Sequence, residues 1–300
     1  MLRTIGCGAA ARVVLALYKP TGEAVVLKVL SKQQILSKGQ WAKVRCERGI
    51  LGSAECPFIV AFKGAFQTPI HLYIALEYVP GGELFRLLQR KMAFDYEETR
   101  FYACEVLCAL CYLHSHSTLY RDLKPENILL TASGHIKLVD FGAACVLADQ
   151  PATTMCGTPE YMAPEMVTQA NYSFPCDLWA LGILIYEMAV GHAPFKDDSP
   201  MGLYAKILNQ EVKFPKRFDD RLKSLILGLL TRNPLTRMDQ STAKSHSFFK
   251  GINWSIAEQQ GLQPPFTPLH RSPTDSCNFD SLPDVPDYSG ETSQTTWEGF

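Results

Sequence analysis

Up to Glu77 the apolar residues of this chain alternate with polar ones or run in short β-branched blocks, and beyond Gly81 they recur at helical spacing. ARVVLALYK and AVVLKVL flank the turn residues PTG and predict a pair of strands. FIVAFKGAFQ and LYIALEYV predict two more strands, and the polar stretch from Lys32 to Leu51, with spaced apolar positions, predicts a helix. After Gly81 the segments ELFRLLQRK, YEETRFYACEVLCALCYLHSH, DLWALGILIYEMAVG and DRLKSLILGLL carry helical periodicity, interrupted by the β-like pieces NILLT and HIKLVDF. From about Gly251 onward Pro, Ser, Thr and Asp accumulate and the periodicity ends, so this part is expected to be a tail without a core of its own. The expected organisation is α+β: a small β-rich lobe over 1–80, a larger helical lobe over 81–250 and a tail over 251–300.

Composition narrows the picture only a little. The 300 residues are 47% hydrophobic and 20% charged, which suits a globular chain with a substantial core. A net charge of −1 argues against a general nucleic-acid coat or a polybasic membrane binder. LWALGILIYEMAV is shorter than the roughly 20 residues of a membrane span and carries Glu187, so a buried helix is expected there. The first residues have no signal-peptide pattern, and the expected compartment is cytoplasm or nucleus. The ten cysteines are scattered through apolar or helical segments and read as reduced, buried thiols; a zinc site or a disulfide frame is the alternative.

Candidate chemistry begins at GCGAAARVV, a G-x-G-x-x-A-x-V pattern with Gly6, Gly8 and Val13 in place and Ala11 at the last glycine position. Such glycines let backbone N–H groups approach phosphates, although turn glycines between strands would explain the pattern equally well. Lys28 follows in VVLKVL. An ammonium inside an apolar strand needs a partner, because burying it alone is costly. A phosphate above it and a carboxylate behind it would serve, and Glu47 on the expected helix is a candidate carboxylate; a snorkelling lysine and a solvated glutamate remain the plain alternative.

YRDLKPENILL places an acid, a base and an amide within six positions, ahead of an apolar run. Phosphoryl transfer asks for an oriented hydroxyl, metal ions on the phosphates and positive charge near the moving group. Asp122 suits the first task, Lys124 the last, and Asn127 offers a metal its side-chain oxygen, with Pro125 stiffening the loop. Asp140, in the DFG that follows HIKLV, supplies a second oxygen ligand, and this sparse set fits magnesium with phosphate oxygens and water.

In this order and at these spacings the Gly-rich loop, VVLK, the helix glutamate, YRDLKPEN, DFG and APE (Ala163–Glu165) resemble the protein kinases over roughly residues 5–250. Lys124, Thr158 in GTPEYMAPE and Tyr120 in place of the common histidine resemble the Ser/Thr-specific AGC group. PPFTP, NFD and the terminal WEGF resemble the proline motif, the adenine-side phenylalanine and the hydrophobic motif of the AGC tail; within the group the chain looks similar to the ribosomal-protein-kinase branch. The resemblance implies a bilobal α+β kinase fold and Mg2+-assisted transfer from ATP to Ser or Thr of protein substrates; a monomer is the default expectation. It implies Leu76 as gatekeeper, Glu77 and Val79 as hinge, and Val13, Val26 and Leu129 around the adenine. It implies Asp177 bracing the catalytic loop and Arg237 pairing with Glu165. Glu83, Glu126 and Glu187 match positions that receive basic residues upstream of the target hydroxyl, and Met155, Pro159 and Met162 match an apolar pocket for the residue after it. Thr154, or its neighbour Thr153, matches the site phosphorylated by an upstream activating kinase, with Arg121 and Lys43 as receiving cations. Ala11, Val26 in place of an alanine and Cys145 in place of a lysine depart from the pattern, and they keep open a weakly active, ATP-binding pseudokinase that acts as a scaffold. The short stretch before Gly6 is compatible with a longer parent chain.

Overall fold

A computed structural model describes residues 2–7, 11–147, 151–280 and 282. Its N-terminal part is a five-stranded antiparallel sheet of β1 (Arg3–Cys7), β2 (Ala11–Tyr18), β3 (Glu23–Ser31), β4 (Phe62–Gln67) and β5 (His71–Glu77), in the order β1-β2-β3-β5-β4. The β2–β3 hairpin closes through Gly22, whose φ of 72° suits glycine and whose N–H donates to the Tyr18 carbonyl at 2.8 Å. Strand periodicity then sorts β3 into two faces. Val25, Leu27 and Val29 pack with Val14, Ala16 and Tyr73 in a small outer cluster, while Val26 and Lys28 line an inner cavity.

The helix expected from Lys32 to Leu51 is two helices, α1 (Lys32–Ser37) and α2 (Trp41–Ser53), broken at Gly39 with a φ of 61°. The break lets α2 turn Val44, Glu47, Ile50 and Leu51 inward as one buried stripe. The segment FIV is not part of β4. It forms the junction to the helical part, where Ile59 bridges Leu138 and Val60 N–H donates to the Leu138 carbonyl at 3.0 Å.

The C-terminal part is built on α3 (Leu84–Lys91) and α4 (Tyr96–Ser115). A capping box starts α4, with Asp95 and Glu98 each accepting the other's backbone N–H. Short strands follow: β6 (Thr118–Leu119), β7 (Ile128–Leu130), β8 (Ile136–Leu138) and β9 (Cys145–Val146), paired as β6–β9 and β7–β8. Then come α5 (Pro164–Val167), α6 (Pro175–Val190), α7 (Pro200–Asn209), α8 (Asp220–Leu229), α9 (Gln240–Ser245) and α10 (Trp254–Ala257). Leu178–Tyr186 of α6 are buried all round, as a core helix should be, and among the described residues no helix is long and apolar enough to cross a membrane. One continuous core runs from Leu30 and Ile74 through α4 and α6 to Phe248. All ten cysteines are free thiols; only Cys104, Cys108 and Cys176 are fully buried, whereas Cys7 and Cys277 are exposed.

The tail has no core of its own and lies on the other two parts. The backbone at Gly134 meets it so closely that a Cβ there would sit 2.0 Å from the Phe266 carbonyl oxygen. Tyr78 donates to the Asp275 carbonyl at 2.6 Å, and Asn278 Nδ2 donates to the Pro80 carbonyl at 2.9 Å. The terminal WEGF lies outside the described residues.

Candidate active site

The Lys28 ammonium is bracketed by two carboxylates, Glu47 at 2.6 Å and Asp140 at 2.9 Å. Pairing on both sides is what a strand lysine on the inner face requires. Burial alone would lower the Lys28 pKa, but the charges of Glu47 and Asp140 outweigh it and the net shift is upward. Asp140 shows the complementary balance. Burial pushes its carboxyl up, Lys28 pulls it down further, and it ends below its ordinary value. Its backbone is left-handed, with φ 53°, and its Oδ1 also accepts the Gly142 N–H at 3.3 Å.

Across the cleft, the YRDLKPEN loop is locked from beneath by Asp177. This fully buried carboxylate accepts the N–H of Tyr120 at 3.0 Å and of Arg121 at 2.8 Å, and it faces His114 Nε2 at 2.8 Å. Those bonds hold Arg121 at φ 67°, a strained conformation for a non-glycine residue. The Tyr120 hydroxyl donates to the Val139 carbonyl, next to Asp140, so the residue in the usual histidine position joins the two halves of the site. Above the brace, Asn127 Nδ2 donates to the Asp122 carbonyl at 2.9 Å and to Asp122 Oδ2 at 2.8 Å. The Thr158 hydroxyl donates to Asp122 Oδ1 at 2.9 Å and accepts from Lys124 Nζ at 2.8 Å. The acid, the lysine and the amide are thus cross-tied, and Thr158 ties them to the GTPEYMAPE segment. Below that segment, Glu165 and Arg237 form a buried two-bond pair at 2.6 and 2.8 Å.

Between the two halves is a cavity of about 290 Å3. Gly6, Val13, Val26, Lys28, Glu47, Leu76, Glu77, Val79, Leu129 and Asp140 all line it, and Phe279 of the NFD segment joins them from the tail. Gly8 lies outside the described residues. At the hinge, the Glu77 N–H is committed to the Ala61 carbonyl at 2.9 Å and its carboxylate to Lys137 at 2.6 Å. The Val79 N–H has no acceptor among the described residues. Ile5, Cys7, Leu51, Val60, Tyr78 and Val139 also line the cavity and were not singled out in the sequence. Ile5 and Val139 were within reach, since each directly precedes a residue that was singled out.

Glu83 and Glu126 line the same cavity, and Glu187 lies in the electrostatic field of Glu126. Burial raises both the Glu83 and Glu187 carboxyls, and Glu187 accepts the Tyr161 hydroxyl. The apolar trio separates: Met162 is 6% exposed and belongs to the core, whereas Met155 and Pro159 are at the surface. Thr154 and Thr153 are exposed. Arg121 does not bond the Thr154 side chain; its guanidinium donates to the Ala143 carbonyl at 2.6 Å and to the Tyr172 hydroxyl at 3.1 Å, and that hydroxyl donates to the Thr154 carbonyl at 2.5 Å. Lys43 is exposed on α2.

A lysine between two carboxylates lines the cavity, the braced Asp–Lys–Asn loop borders it through Glu126, and together they define a phosphoryl-transfer cleft. A model of the protein kinase domain matches residues 1–249. The chain is 43% identical to the serine/threonine-protein kinase YPK2/YKR2 of Saccharomyces cerevisiae, over 93% of this chain and 42% of that protein. It is 42% identical to the serine/threonine-protein kinase gad8 of Schizosaccharomyces pombe, over 94% of this chain and 50% of that protein. It is 40% identical to the cAMP-dependent protein kinase catalytic subunit PRKX of Homo sapiens, over 94% of this chain and 80% of that protein. The chain spans half or less of the length of these fungal relatives. It belongs to the protein kinase family, in the AGC group of serine/threonine kinases.

Proposed function

We propose that this chain is an ATP-dependent serine/threonine protein kinase that transfers the γ-phosphoryl group to protein substrates with upstream arginine. One observation carries the reading. The two charged assemblies, Lys28–Glu47–Asp140 and Asp122–Asn127–Lys124–Thr158, are each internally paired; the first lines a cavity large enough for a nucleotide base, and the second adjoins it, with Glu126 of its loop in the lining and Lys124 in the electrostatic field of Asp140. In this reading the base lies among Val13, Val26, Leu76 and Leu129, with hydrogen bonds to the Glu77 carbonyl and the Val79 N–H. Gly6 borders the phosphates, and Lys28, oriented by Glu47, binds them. Asp122 orients and deprotonates the attacking hydroxyl, and Lys124 offsets the charge that develops on the moving phosphoryl group. Arginines of the substrate meet the acidic strip to which Glu83, Glu126 and Glu187 belong, and the residue after the target meets Met155 and Pro159.

The donor set also fits magnesium. Asn127 spends its amide nitrogen on Asp122 and Asp140 spends Oδ1 on Lys28, so Asn127 Oδ1 and Asp140 Oδ2 are left without a donor among the described residues. Bound there, Mg2+ would neutralise phosphate charge and fix the orientation of the phosphates.

The test is phosphate transfer from labelled Mg-ATP to an arginine-rich serine peptide, comparing wild type with Asp122→Asn. Transfer by the wild type and its loss in the variant are expected. A wild-type protein phosphorylated at Thr154 that binds ATP but transfers nothing would overturn the reading.

A further inference from the structure

The acidic side of the cleft is not uniform along its length. At one end, Glu187 holds the Tyr161 hydroxyl and faces Glu126 and Glu160, with Lys196 as the opposing cation. At the other end, Glu83 occupies the position just before α3 without a side-chain capping bond, and Arg86 stands one turn into that helix. Arg86 forms an ion pair with Asp280 of the tail. Asp280 is itself held, because Arg3 of β1 donates to its carbonyl at 3.0 Å and to the neighbouring Ser276 hydroxyl at 2.7 Å. Beside this cluster is a separate cavity of about 330 Å3, lined by Glu83, Arg86, Gln89, Arg90, Cys277 and Asn278. Arg90, one turn beyond Arg86, lies 5.8 Å over the Phe266 ring on the tail. The end of the strip nearest α3 therefore contains two carboxylates and the chain's own guanidiniums.

We infer that Arg86 is a specificity-determining residue: as an internal counter-ion it fills the guanidinium site that Glu83 and Asp280 would otherwise offer to a substrate arginine, so Glu126 and Glu187 carry the selection for upstream basic residues. The inference rests on the proposed reading of the chain as an arginine-directed peptide kinase. An arginine arriving at Glu83 must displace Arg86 from Asp280 and then sit beside a like charge, which is discrimination by a repulsive element. The charges of Glu126 and Asp280 raise the Glu83 carboxyl beyond what burial does, and Arg86 works against them, so all four groups share one field. With Arg86 35% and Asp280 71% exposed, solvent screens the pair, and the filter is one of a few fold and not a block.

The experiment measures kcat/KM for serine peptides carrying a single arginine moved through the upstream positions, each divided by the value for the all-alanine peptide. Taking ratios cancels any general change in activity. Wild type should select arginine at one position, and Glu187→Gln should abolish that selection. Arg86→Ser should add selection at a second position by about three- to fivefold, the scale of an exposed ion pair, and Arg86→Glu should add more. Glu83→Gln placed in the Arg86→Ser background should remove the gain. An unchanged profile in both Arg86 variants, or a wild type that already selects arginine through Glu83, would overturn the inference while leaving the kinase reading intact. Phosphorylation with no arginine preference at any position, in wild type and variants alike, would overturn the arginine-directed reading and the inference with it.

Discussion

Asp177→Asn changes one buried oxygen to an NH2 group and nothing in shape, so its cost can be worked out group by group. Gln240 Nε2 lies 2.6 Å from His114 Nδ1 and 3.5 Å from the Leu110 carbonyl, which makes Nδ1 the acceptor and Nε2–H the donor towards Asp177. Asp177 Oδ2 therefore accepts from two donors, His114 Nε2–H and Tyr120 N–H, while Oδ1 accepts from one, Arg121 N–H. An asparagine keeps its oxygen at the two-donor position and turns its NH2 towards the Arg121 N–H. Two donors then face each other in a fully buried site. The orphaned N–H costs about 1–3 kcal/mol, and replacing charged acceptor bonds by neutral ones adds about 1 kcal/mol. The expected destabilisation is about 2–4 kcal/mol, a large share of the ~5–15 kcal/mol that holds a typical domain folded.

The orphan also sits at a position of backbone strain. Arg121 is held at φ 67° by the bond that is lost, and Asp122 is the next residue. Relaxation of Arg121 would move the Asp122 carboxylate, and a displacement of about 1 Å costs on the order of 100-fold in rate. Urea unfolding followed by tryptophan fluorescence gives the stability change, and steady-state peptide phosphorylation gives kcat and KM. The expected pattern is an earlier unfolding midpoint together with a kcat lowered by ten- to 100-fold, with a smaller change in peptide KM because Glu187 lies outside the braced loop. A loss of stability below about 0.5 kcal/mol with kcat within twofold of wild type would refute the argument, since a surface substitution does as little.

Three further outcomes are expected. Gly157→Ala should lower kcat at least tenfold, because Gly157 has φ 92° and a Cβ would come within 2.4 Å of the Arg121 carbonyl oxygen; activity near wild type would mean that the segment moves freely off the loop. The KM for an arginine peptide should fall as pH rises, starting from the ordinary glutamate range. Burial holds the Glu187 carboxyl protonated above that range, and only the ionised form pairs with arginine; Glu187→Gln should flatten the profile, and a dependence that survives the substitution assigns it to another group. Thr154→Ala should lower the turnover of protein treated with an activating kinase and leave the untreated protein unchanged. The Thr154 backbone already connects through Tyr172 to Arg121, so a phosphate there would have a cation within reach; equal activation of both proteins would point to Thr153 or another site.

What the sequence made legible divides by the distance over which a residue is specified. Asp122, Lys124 and Asn127 lie within six positions, and their chemistry needs only the loop that contains them. Lys28 was legible for a different reason: a charge breaking an apolar strand requires compensation, and β-alternation puts it on the same face as Val26. Its partner Glu47 was readable as an acid on a helix, but the break at Gly39 that turns α2 inward was not, because Lys32–Ser53 is polar enough to pass for one amphipathic helix. Met162 is less legible: it is 6% exposed and belongs to the core, and nothing local in the sequence distinguishes a methionine at the surface of a pocket from one buried beneath it. Least legible of all was Arg86. In sequence it is one more cation on the polar side of a short helix, and its partner Asp280 is 194 residues away in a segment whose composition predicts no structure of its own. That segment is ordered because it borrows surface: glycines at 81, 82 and 134 leave room where any Cβ would collide with Pro268, Asn278 or Phe266. A tail placed by contacts of this kind brings a fixed charge to the rim of the substrate cleft, so the specificity of the site depends on residues that no local motif around the catalytic loop contains.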